Sequence, residues 1–96
     1  MKRTVSVSPA AEADLDRLAN FFAGDAETML RVTDLLWFAA LSLREFAERG
    51  VPGRRPGARQ LIVPFRRSAY VIQYVVEARS VTITRIFHSL EDRPLA

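Results

Sequence analysis

The alternation of hydrophobic and polar positions is clearest between residues 69 and 89. Two runs rich in β-branched and aromatic residues flank a polar break at residues 77–80. Runs of this kind on both sides of a short polar segment are typical of antiparallel strands joined by a turn. The segment therefore predicts a β-hairpin, and the rest of the chain is expected to pack around it.

Two further strands are predicted outside the hairpin. Residues 2–7 alternate polar side chains with valine, the pattern of a short strand with one apolar face. Residues 60–64 form a second short apolar run that ends in Pro64. Because proline lacks the backbone N–H that a ladder requires, it marks the end of this strand or a position on a sheet edge.

Two helices are predicted between the first strand and residue 50. Ser8 and Pro9 suit an N-cap and a first helical position, and apolar residues at spacings of three and four follow to Phe22. Asp25 is expected to cap a longer helix that runs to about Arg49 and ends at a glycine. We assign the core stripe of this second helix to six residues: Met29, Val32, Leu36, Ala39, Leu43 and Phe46.

A second apolar set on the longer helix lies on a different side from its core stripe. It consists of Leu30, Trp37 and Leu41. One interpretation is that the first helix packs there, forming a helical hairpin. The other is that part of this face is exposed and binds another chain, as large apolar patches on soluble proteins often do.

The predicted order of elements is β-α-α-β-β-β. Strands and helices that are grouped in this way favour an α+β fold, in which a helical hairpin packs on one face of a mostly antiparallel four-stranded sheet. A chain of 96 residues has the length of one domain. We therefore expect residues 1–96 to form a single domain.

Composition removes several classes of site. The chain has no cysteine and one histidine, so disulfides and thiolate metal sites are excluded, and no metal or other cofactor is expected. Three early carboxylates, Glu12, Asp14 and Asp16, fit the positive end of a helix dipole. There is no glycine-rich phosphate loop, no signal-peptide pattern and no apolar run long enough for a bilayer, so a cytoplasmic protein is expected.

The charge is distributed unevenly along the chain. Residues 1–50 contain six basic and eight acidic side chains, whereas residues 51–96 contain eight basic and three acidic ones. Of the fourteen basic residues, all but one are arginine, whose planar guanidinium suits phosphate or carboxylate. The basic half therefore indicates an acidic partner, either nucleic acid or an acidic protein segment.

The candidate chemistry lies among the arginines and the histidine of this basic half, with two tyrosines between them. The set is Arg54, Arg55, Arg59, Arg66, Arg67, Tyr70, Tyr74, Arg85 and His88. Arginines can stabilise the charge of a phosphoryl transition state, and a histidine can act as general acid or base. The alternative is structural: a strand arginine often pairs with a helix acid, and a lone histidine at a strand end is often a hydrogen-bonded surface residue.

Alternation along the last strand bears on this choice. It places Val81, Ile83, Arg85 and Phe87 on one face and Thr82, Thr84, Ile86 and His88 on the other. Arg85 and His88 are then separated, unless a β-bulge re-aims one of them.

Four segments, taken in order, resemble the RelE/ParE superfamily of toxins. Residues 5–15 resemble its opening strand and Pro-Ala-Ala-Glu helix start, and residues 57–61 its Gly-x-Arg-x-Leu strand. Residues 70–74 resemble its Tyr-x-x-x-Tyr strand, and residues 81–88 its closing strand with an arginine and a terminal histidine. The resemblance implies one toxin domain with the fold predicted above.

The resemblance also implies the toxin half of a type II toxin–antitoxin pair, and it leaves two activities. RelE-like members cleave mRNA on the ribosome without a metal; here the matching residues are Arg59, Arg67, Arg85 and His88. ParE-like members inhibit DNA gyrase and are not enzymes. The chain lacks a tyrosine after its last strand and a lysine before the Gly-x-Arg-x-Leu strand, so the ParE-like activity is favoured. A third reading is a non-toxic member that only binds its antitoxin.

The expected partners follow from the same resemblance. They are a cognate antitoxin, small, acidic and of the ribbon-helix-helix type, and gyrase or the ribosome as target; a toxin dimer within a hetero-oligomer stays open. No membrane is expected to take part. We expect the antitoxin to contact Leu30, Trp37, Leu41, Arg66 and Arg67. We expect the target to contact Arg54, Arg55, Arg59 and Arg85.

Overall fold

A computed structural model describes residues 2–91 and contains two helices, one short 3-10 helix and five strands. In chain order the elements are β1 (Thr4–Val7), α1 (Pro9–Asn20), α2 (Ala26–Ser42), the 3-10 helix (Ala47–Arg49), β2 (Val51–Pro52), β3 (Ala58–Phe65), β4 (Ser68–Val76) and β5 (Ser80–His88). The predicted order of elements is confirmed, with β2 as an addition.

The five strands form one sheet in the order β1-β5-β4-β3-β2. Strand β1 runs parallel to β5, and all other neighbours are antiparallel. The predicted sheet had four strands. The fifth, β2, is only two residues long, with Val51 opposite Gln60 and Pro52 opposite Arg59. So short a strand leaves no alternation of apolar and polar residues, and the sequence pattern therefore does not predict it.

Both helix starts follow from local chemistry. The Ser8 hydroxyl accepts a hydrogen bond from the Ala11 N–H at 3.1 Å, and Pro9 occupies the first turn of α1. The Asp25 carboxylate accepts from the Thr28 N–H at 3.1 Å at the start of α2. These bonds satisfy N–H groups that have no partner within the helix. Both predicted caps are confirmed.

The end of α2 was predicted wrongly. The helix ends at Ser42 and not near Arg49, and the chain then makes turns and the 3-10 helix. This path brings the Ala47 carbonyl and the Gly50 N–H to the buried Tyr74 hydroxyl. That tertiary contact has no local sequence signal. As a result Phe46, which was assigned to the core stripe, is 62% exposed.

The core lies between the two helices and one face of the sheet. From the two helices, the turn after α2 and the 3-10 helix it takes Ala11, Leu18, Val32, Leu36, Ala39, Ala40, Leu43 and Ala47. From the strands it takes Leu61, Val63, Tyr70, Ile72, Tyr74, Val81, Ile83 and Ile86. No helix in residues 2–91 is both long and apolar enough to cross a membrane.

A β-bulge in β5 corrects the predicted faces of that strand. Gln73 lies opposite Arg85 but Tyr74 lies opposite Ile83, so Thr84 is an extra residue, and its hydroxyl donates to the Gln73 carbonyl at 3.1 Å. The shift puts Ile86 and His88 on the helix-covered face with Val81 and Ile83. Arg85 and Phe87 lie on the opposite face with Thr82. Arg85 and His88 thus lie on opposite faces of the sheet, as predicted, but the strand residues that share each face differ from the prediction.

Candidate functional site

Helix α1 lies along the half of β5 that β1 does not cover. Strand β1 pairs only with residues 80–83, so the backbone beyond that point has no neighbouring strand on this side. The Ile86 N–H donates to the Asp14 carboxylate at 2.8 Å, and the Ile86 carbonyl accepts from the Arg17 guanidinium at 3.1 Å. Two side chains of α1 therefore replace a strand and protect this edge from pairing with another chain.

Asp14 is the centre of this contact. Its side chain is almost fully buried. Besides Ile86, it binds the Arg85 guanidinium with both oxygens, at 2.8 and 3.0 Å, and it forms an ion pair with Arg17. A two-oxygen contact of this type is the strongest form of arginine–carboxylate pairing. The carboxylate has every partner that a buried charge needs.

A second carboxylate extends the network towards the end of β5. Glu91 accepts two hydrogen bonds from Arg17, both at 3.1 Å, and one from the His88 N–H at 2.8 Å. We call Asp14, Arg17, Arg85 and Glu91 the β5-edge network.

The network keeps both of its carboxylates ionised. Burial alone would raise the pKa of Asp14, but the hydrogen bonds from Arg85, Ile86 and Arg17 together lower it below its ordinary value. Burial likewise opposes the hydrogen bonds from Arg17 and His88 at Glu91, whose pKa is also lowered. Hydrogen bonds to the charged form are the common cause.

Arg85 is held by this network. Its guanidinium binds Asp14 and lies 4.7 Å from the centre of the Phe87 ring, an arrangement suited to a cation–π contact. Of the two readings of Arg85, the structure therefore supplies the contacts of the structural one: a strand arginine paired with a helix acid.

His88 lies on the other face, against the helices. Its Nε2 is 2.9 Å from the Ser68 hydroxyl, its Nδ1 accepts from the Leu90 N–H at 3.2 Å, and its ring meets Tyr70 edge-on at 5.3 Å. With Nδ1 accepting, a neutral ring carries its proton on Nε2 and donates to Ser68. Both ring nitrogens therefore have hydrogen-bond partners within the protein.

The remaining candidate arginines lie at opposite ends of β3. Arg59 donates to the carbonyls of Glu48 and Gly50, at 3.1 and 2.6 Å, whereas Arg67 lies exposed in the β3–β4 turn. At about 3.4 Å per residue, six strand residues separate these ends by roughly 20 Å. Arg54 and Arg55 are exposed in the β2–β3 loop, beside the Arg59 end.

Arg66 belongs to the β3–β4 turn together with Arg67. It donates to the Thr28 hydroxyl at 3.2 Å and lies 5.0 Å from the centre of the Phe65 ring. The turn is therefore fixed against the first turn of α2, while Arg67 is exposed and takes part in no ion pair within residues 2–91.

The longer helix exposes much of its apolar surface. Leu30 is 60% exposed, Trp37 56% and Leu41 38%, so the predicted second apolar set is not covered by α1. Phe38, which the sequence did not single out, is 71% exposed beside them. We call Leu30, Trp37, Phe38 and Leu41 the α2 apolar face. An exposed set of large apolar side chains on one helix is typical of a protein-binding surface.

A groove of about 520 Å³ lies where the end of α1 meets the start of β4 and the end of β5. Its lining is mostly apolar and consists of Leu18, Phe21, Phe22, Tyr70, His88, Leu90 and Glu91. Within residues 2–91, no group of three or more histidine or carboxylate side chains is placed to hold a metal ion.

Asp14 is the residue that sequence reasoning misplaced. It was assigned to the helix dipole, with Glu12 and Asp16, yet those two are exposed and Asp14 is not. A signal was present: Asp14 lies three residues after Ala11 and four before Leu18, on the apolar stripe of α1. A carboxylate buried at such a position requires a cationic or hydrogen-bonding partner.

Comparison with known proteins places these features in a family. Residues 5–93 match the family described as the ParE toxin of the type II toxin–antitoxin system parDE. Toxin RelE1 of Caulobacter vibrioides is 40% identical over 94 residues, which cover 97% of this chain and all of that protein. Toxin RelE3 of the same organism is 34% identical over 92 residues, covering 95% of this chain and 99% of that protein.

Two solved structures share the fold. A chain of the chromosomal ParDE toxin–antitoxin system of P. aeruginosa has a TM-score of 0.74 at 22% identity, over 91% of this chain and 96% of that one. A chain of the toxin–antitoxin complex RelBE2 of Mycobacterium tuberculosis has a TM-score of 0.61 at 26% identity, over 95% of both chains. The chain belongs to the ParE family of toxins of type II toxin–antitoxin systems.

Proposed function

We propose that this toxin acts by binding a protein target, DNA gyrase, and not by cleaving RNA. The observation that carries the proposal is the dispersal of the four residues matched to ribonuclease members. Arg85 and His88 lie on opposite faces of the sheet, and Arg59 and Arg67 lie at opposite ends of β3. Catalysis of phosphodiester cleavage requires such groups within a few ångströms of one phosphate.

The second candidate function is ribosome-dependent cleavage of mRNA. The names of the two relatives, both RelE toxins, favour it. Against it stand the contacts of the candidate groups, since Arg59 is bonded to backbone carbonyls and Arg85 to Asp14.

Expression of the protein without its antitoxin separates the two functions. We expect gyrase–DNA cleavage complexes to accumulate while mRNA stays intact, because gyrase is bound and no RNA is cut. The measurements are trapped gyrase–DNA complexes and northern analysis of abundant transcripts in the same cells.

His88→Ala is the variant for this experiment, because it removes the candidate acid or base. Ser68→Ala is its control, because it removes only the hydroxyl that contacts the His88 ring. Neither is expected to change the mRNA pattern. Fragmented mRNA that disappears with His88→Ala, in a variant that keeps its thermal stability, would contradict the proposal. Unchanged growth and intact DNA with the wild-type protein would exclude both activities.

We further propose that the α2 apolar face receives a cognate antitoxin. An amphipathic helix laid on a helical protein buries its apolar side chains at intervals of three, four and seven residues, and Leu30, Trp37 and Leu41 follow such intervals. Arg66 and Arg67 lie near the start of the same helix, since Arg66 reaches Thr28. The proposal includes pairing of both arginines with acidic antitoxin residues, which would speed association.

Trp37→Ala is expected to weaken antitoxin binding by about 30-fold or more, because buried tryptophans at interfaces typically contribute about 2 kcal/mol or more. The side chain is mostly exposed in the free toxin, so the free energy of unfolding should change by only about 0.5 kcal/mol. Isothermal titration and thermal unfolding measure the two quantities.

Leu36→Ala is the control, because Leu36 precedes Trp37 on the helix but is buried in the core. It should lower the free energy of unfolding by about 2–5 kcal/mol. Comparable losses of affinity and stability in Trp37→Ala would identify the tryptophan as an ordinary packing residue and contradict its assignment to the interface.

A further inference from the structure

The cationic side chains are concentrated at one end of the sheet. At this end lie the β2–β3 loop, the β4–β5 turn and the start of β1. At or next to it are eight of the fourteen basic residues: Lys2, Arg3, Arg44, Arg49, Arg54, Arg55, Arg59 and Arg79. Three carboxylates accompany them: Glu45, Glu48 and Glu77.

The rest of residues 2–91 carries the opposite balance, with five basic and seven acidic side chains. The molecule is therefore electrically polarised, with net charges of +5 at this end and −2 elsewhere. A field of this kind orients a protein towards a polyanion before contact.

Backbone hydrogen bonds hold the loops of this end side by side. The Gly57 carbonyl accepts from the Val76 N–H at 2.8 Å, which joins the β2–β3 loop to the end of β4. The Thr4 N–H donates to the Arg79 carbonyl at 3.0 Å, which joins the β4–β5 turn to β1. The Arg3 side chain adds a bond to the Glu77 carbonyl at 2.9 Å.

Three exposed arginines lie at the tips of these loops. Arg54, Arg55 and Arg79 are exposed, and none of the ion pairs among the described residues involves them. Of the nearby carboxylates, Glu45 pairs with Lys2 at 3.7 Å and Glu48 with Arg3 at 3.8 Å. We call Arg54, Arg55 and Arg79 the basic tip.

We propose that the basic tip binds the phosphate backbone of double-stranded DNA without sequence preference. The two loops lie about two strand spacings apart, roughly 10 Å, and each DNA strand presents a phosphate about every 3.4 Å along the helix axis. One duplex therefore offers several phosphates across this width.

The side chains around the basic tip favour duplex DNA over the other acidic partners. A protein interface requires an apolar or aromatic centre, and a site for single strands requires aromatic rings on which bases stack. Between the arginines, the two loops supply only small side chains, Gly53, Pro56, Gly57 and Ala78, and one carboxylate, Glu77. Binding to a duplex backbone needs only cations, because released counterions provide the affinity.

The proposal is independent of the proposed gyrase activity, since its test contains no gyrase. Purified toxin is titrated into a fluorescently labelled 20-base-pair duplex of mixed sequence, and anisotropy is followed from about 25 to 200 mM salt. With three phosphate contacts, the logarithm of the association constant should fall with the logarithm of salt with a slope of about −2.7. A second duplex of unrelated sequence should bind equally.

The variant Arg54→Ser/Arg55→Ser/Arg79→Ser should lose most of this slope and bind at least about tenfold more weakly at 50 mM salt. The matched control Arg31→Ser/Arg66→Ser/Arg67→Ser removes the same charge from other parts of the molecule and should stay within about threefold of wild type. Circular dichroism and melting temperature verify that both variants are folded.

Three results would overturn the proposal. The first is no binding of the duplex at 25 mM salt. The second is an equal loss in both triple variants, which would indicate net charge and not the basic tip. The third is displacement of the duplex by poly-glutamate at equal charge concentration, which would indicate an acidic protein as the partner.

Discussion

Replacing Asp14 with alanine is expected to lower the free energy of unfolding by about 3 kcal/mol. The substitution removes a buried carboxylate that binds Arg85, Arg17 and the Ile86 N–H. Loss of one partner of a buried ion pair typically costs about 3–5 kcal/mol. The lower end applies here because both arginines are partly exposed and can turn to water. Urea unfolding followed by circular dichroism measures the loss.

Asp16→Ala is the control for this substitution. Asp16 is on the same helix, two residues away, but it is exposed, so its loss should change the free energy of unfolding by about 0.5 kcal/mol or less. Equal effects of Asp14→Ala and Asp16→Ala would mean that the β5-edge network contributes nothing to folding.

The pH dependence of unfolding provides a second readout of the same carboxylate. The pKa of Asp14 is lowered in the folded protein, chiefly because hydrogen bonds from Arg85, Ile86 and Arg17 outweigh the effect of burial. Between that value and the ordinary value of about 4, the unfolded chain binds more protons than the folded one. The contribution of Asp14 to the free energy of unfolding is therefore fully present above about pH 4, and it is lost as the pH falls further. Asp14→Ala should show a shallower fall.

The parts of the fold that the sequence predicts well are those decided within a few residues. Ser8 and Asp25 cap their helices as expected, since a cap depends only on the N–H groups that follow it. The hairpin of β4 and β5 likewise follows from two adjacent β-branched runs around a polar turn. Local chemistry is sufficient for each of these features.

The features that sequence reasoning missed depend on contacts distant in the chain. The bulge at Thr84 re-aims Arg85, and its only local signal is that the apolar residues Val81, Ile83 and Ile86 break a strict alternation. Asp14 and Arg85 are separated by 71 residues, so each alone looks like a surface charge. Their pairing is the contact expected from the structural alternative for Arg85, a strand arginine paired with a helix acid.

The exposure of the α2 apolar face is a second feature that depends on contacts distant in the chain. The sequence identified Leu30, Trp37 and Leu41 as a second apolar set, but packing of α1 against them was an equally physical interpretation. Which one holds depends on where α1 lies, and α1 is drawn to the β5 edge by Asp14 and Arg17. The contacts of Asp14 and Arg17 with β5 thus hold α1 at the sheet edge, and the α2 apolar face stays exposed.

Gly50→Ala is expected to lower the free energy of unfolding by about 3 kcal/mol. A β-carbon at this position would lie 2.6 Å from the Tyr74 hydroxyl and 2.7 Å from the Gln60 carbonyl oxygen. The hydroxyl donates to the Ala47 carbonyl at 2.8 Å and accepts from the Gly50 N–H at 2.9 Å. The collision forces this buried tyrosine out of place and breaks both bonds, so costs of overpacking and of unpaired polar groups both apply.

A double-mutant cycle with Tyr74→Phe tests this origin. The single change to phenylalanine should cost about 2 kcal/mol, because it leaves the Gly50 N–H and the Ala47 carbonyl unpaired. Burial raises the pKa of Tyr74, so the hydroxyl that is removed is a protonated donor at neutral pH. In the double variant one of the two collisions is gone, and the total loss should fall about 1 kcal/mol short of the sum of the single losses. Strict additivity would contradict the collision with the hydroxyl.

Gly24→Ala is the control that separates collision from backbone strain. Gly24 has a φ of +95°, where an alanine is strained, but an added β-carbon there would meet no atom within 4 Å. Gly50 is the opposite case, with an ordinary φ of −82° and no free space. Gly24→Ala should therefore lower the free energy of unfolding by about 1–2 kcal/mol, and this loss should be the same in the Tyr74→Phe background. If coupling to Tyr74 appears only at Gly50, the tyrosine hydroxyl is one of the two groups that require glycine there, together with the Gln60 carbonyl. The same hydroxyl, bonded to Ala47 and Gly50, then fixes the turn that leads into β2 and the loop carrying Arg54 and Arg55.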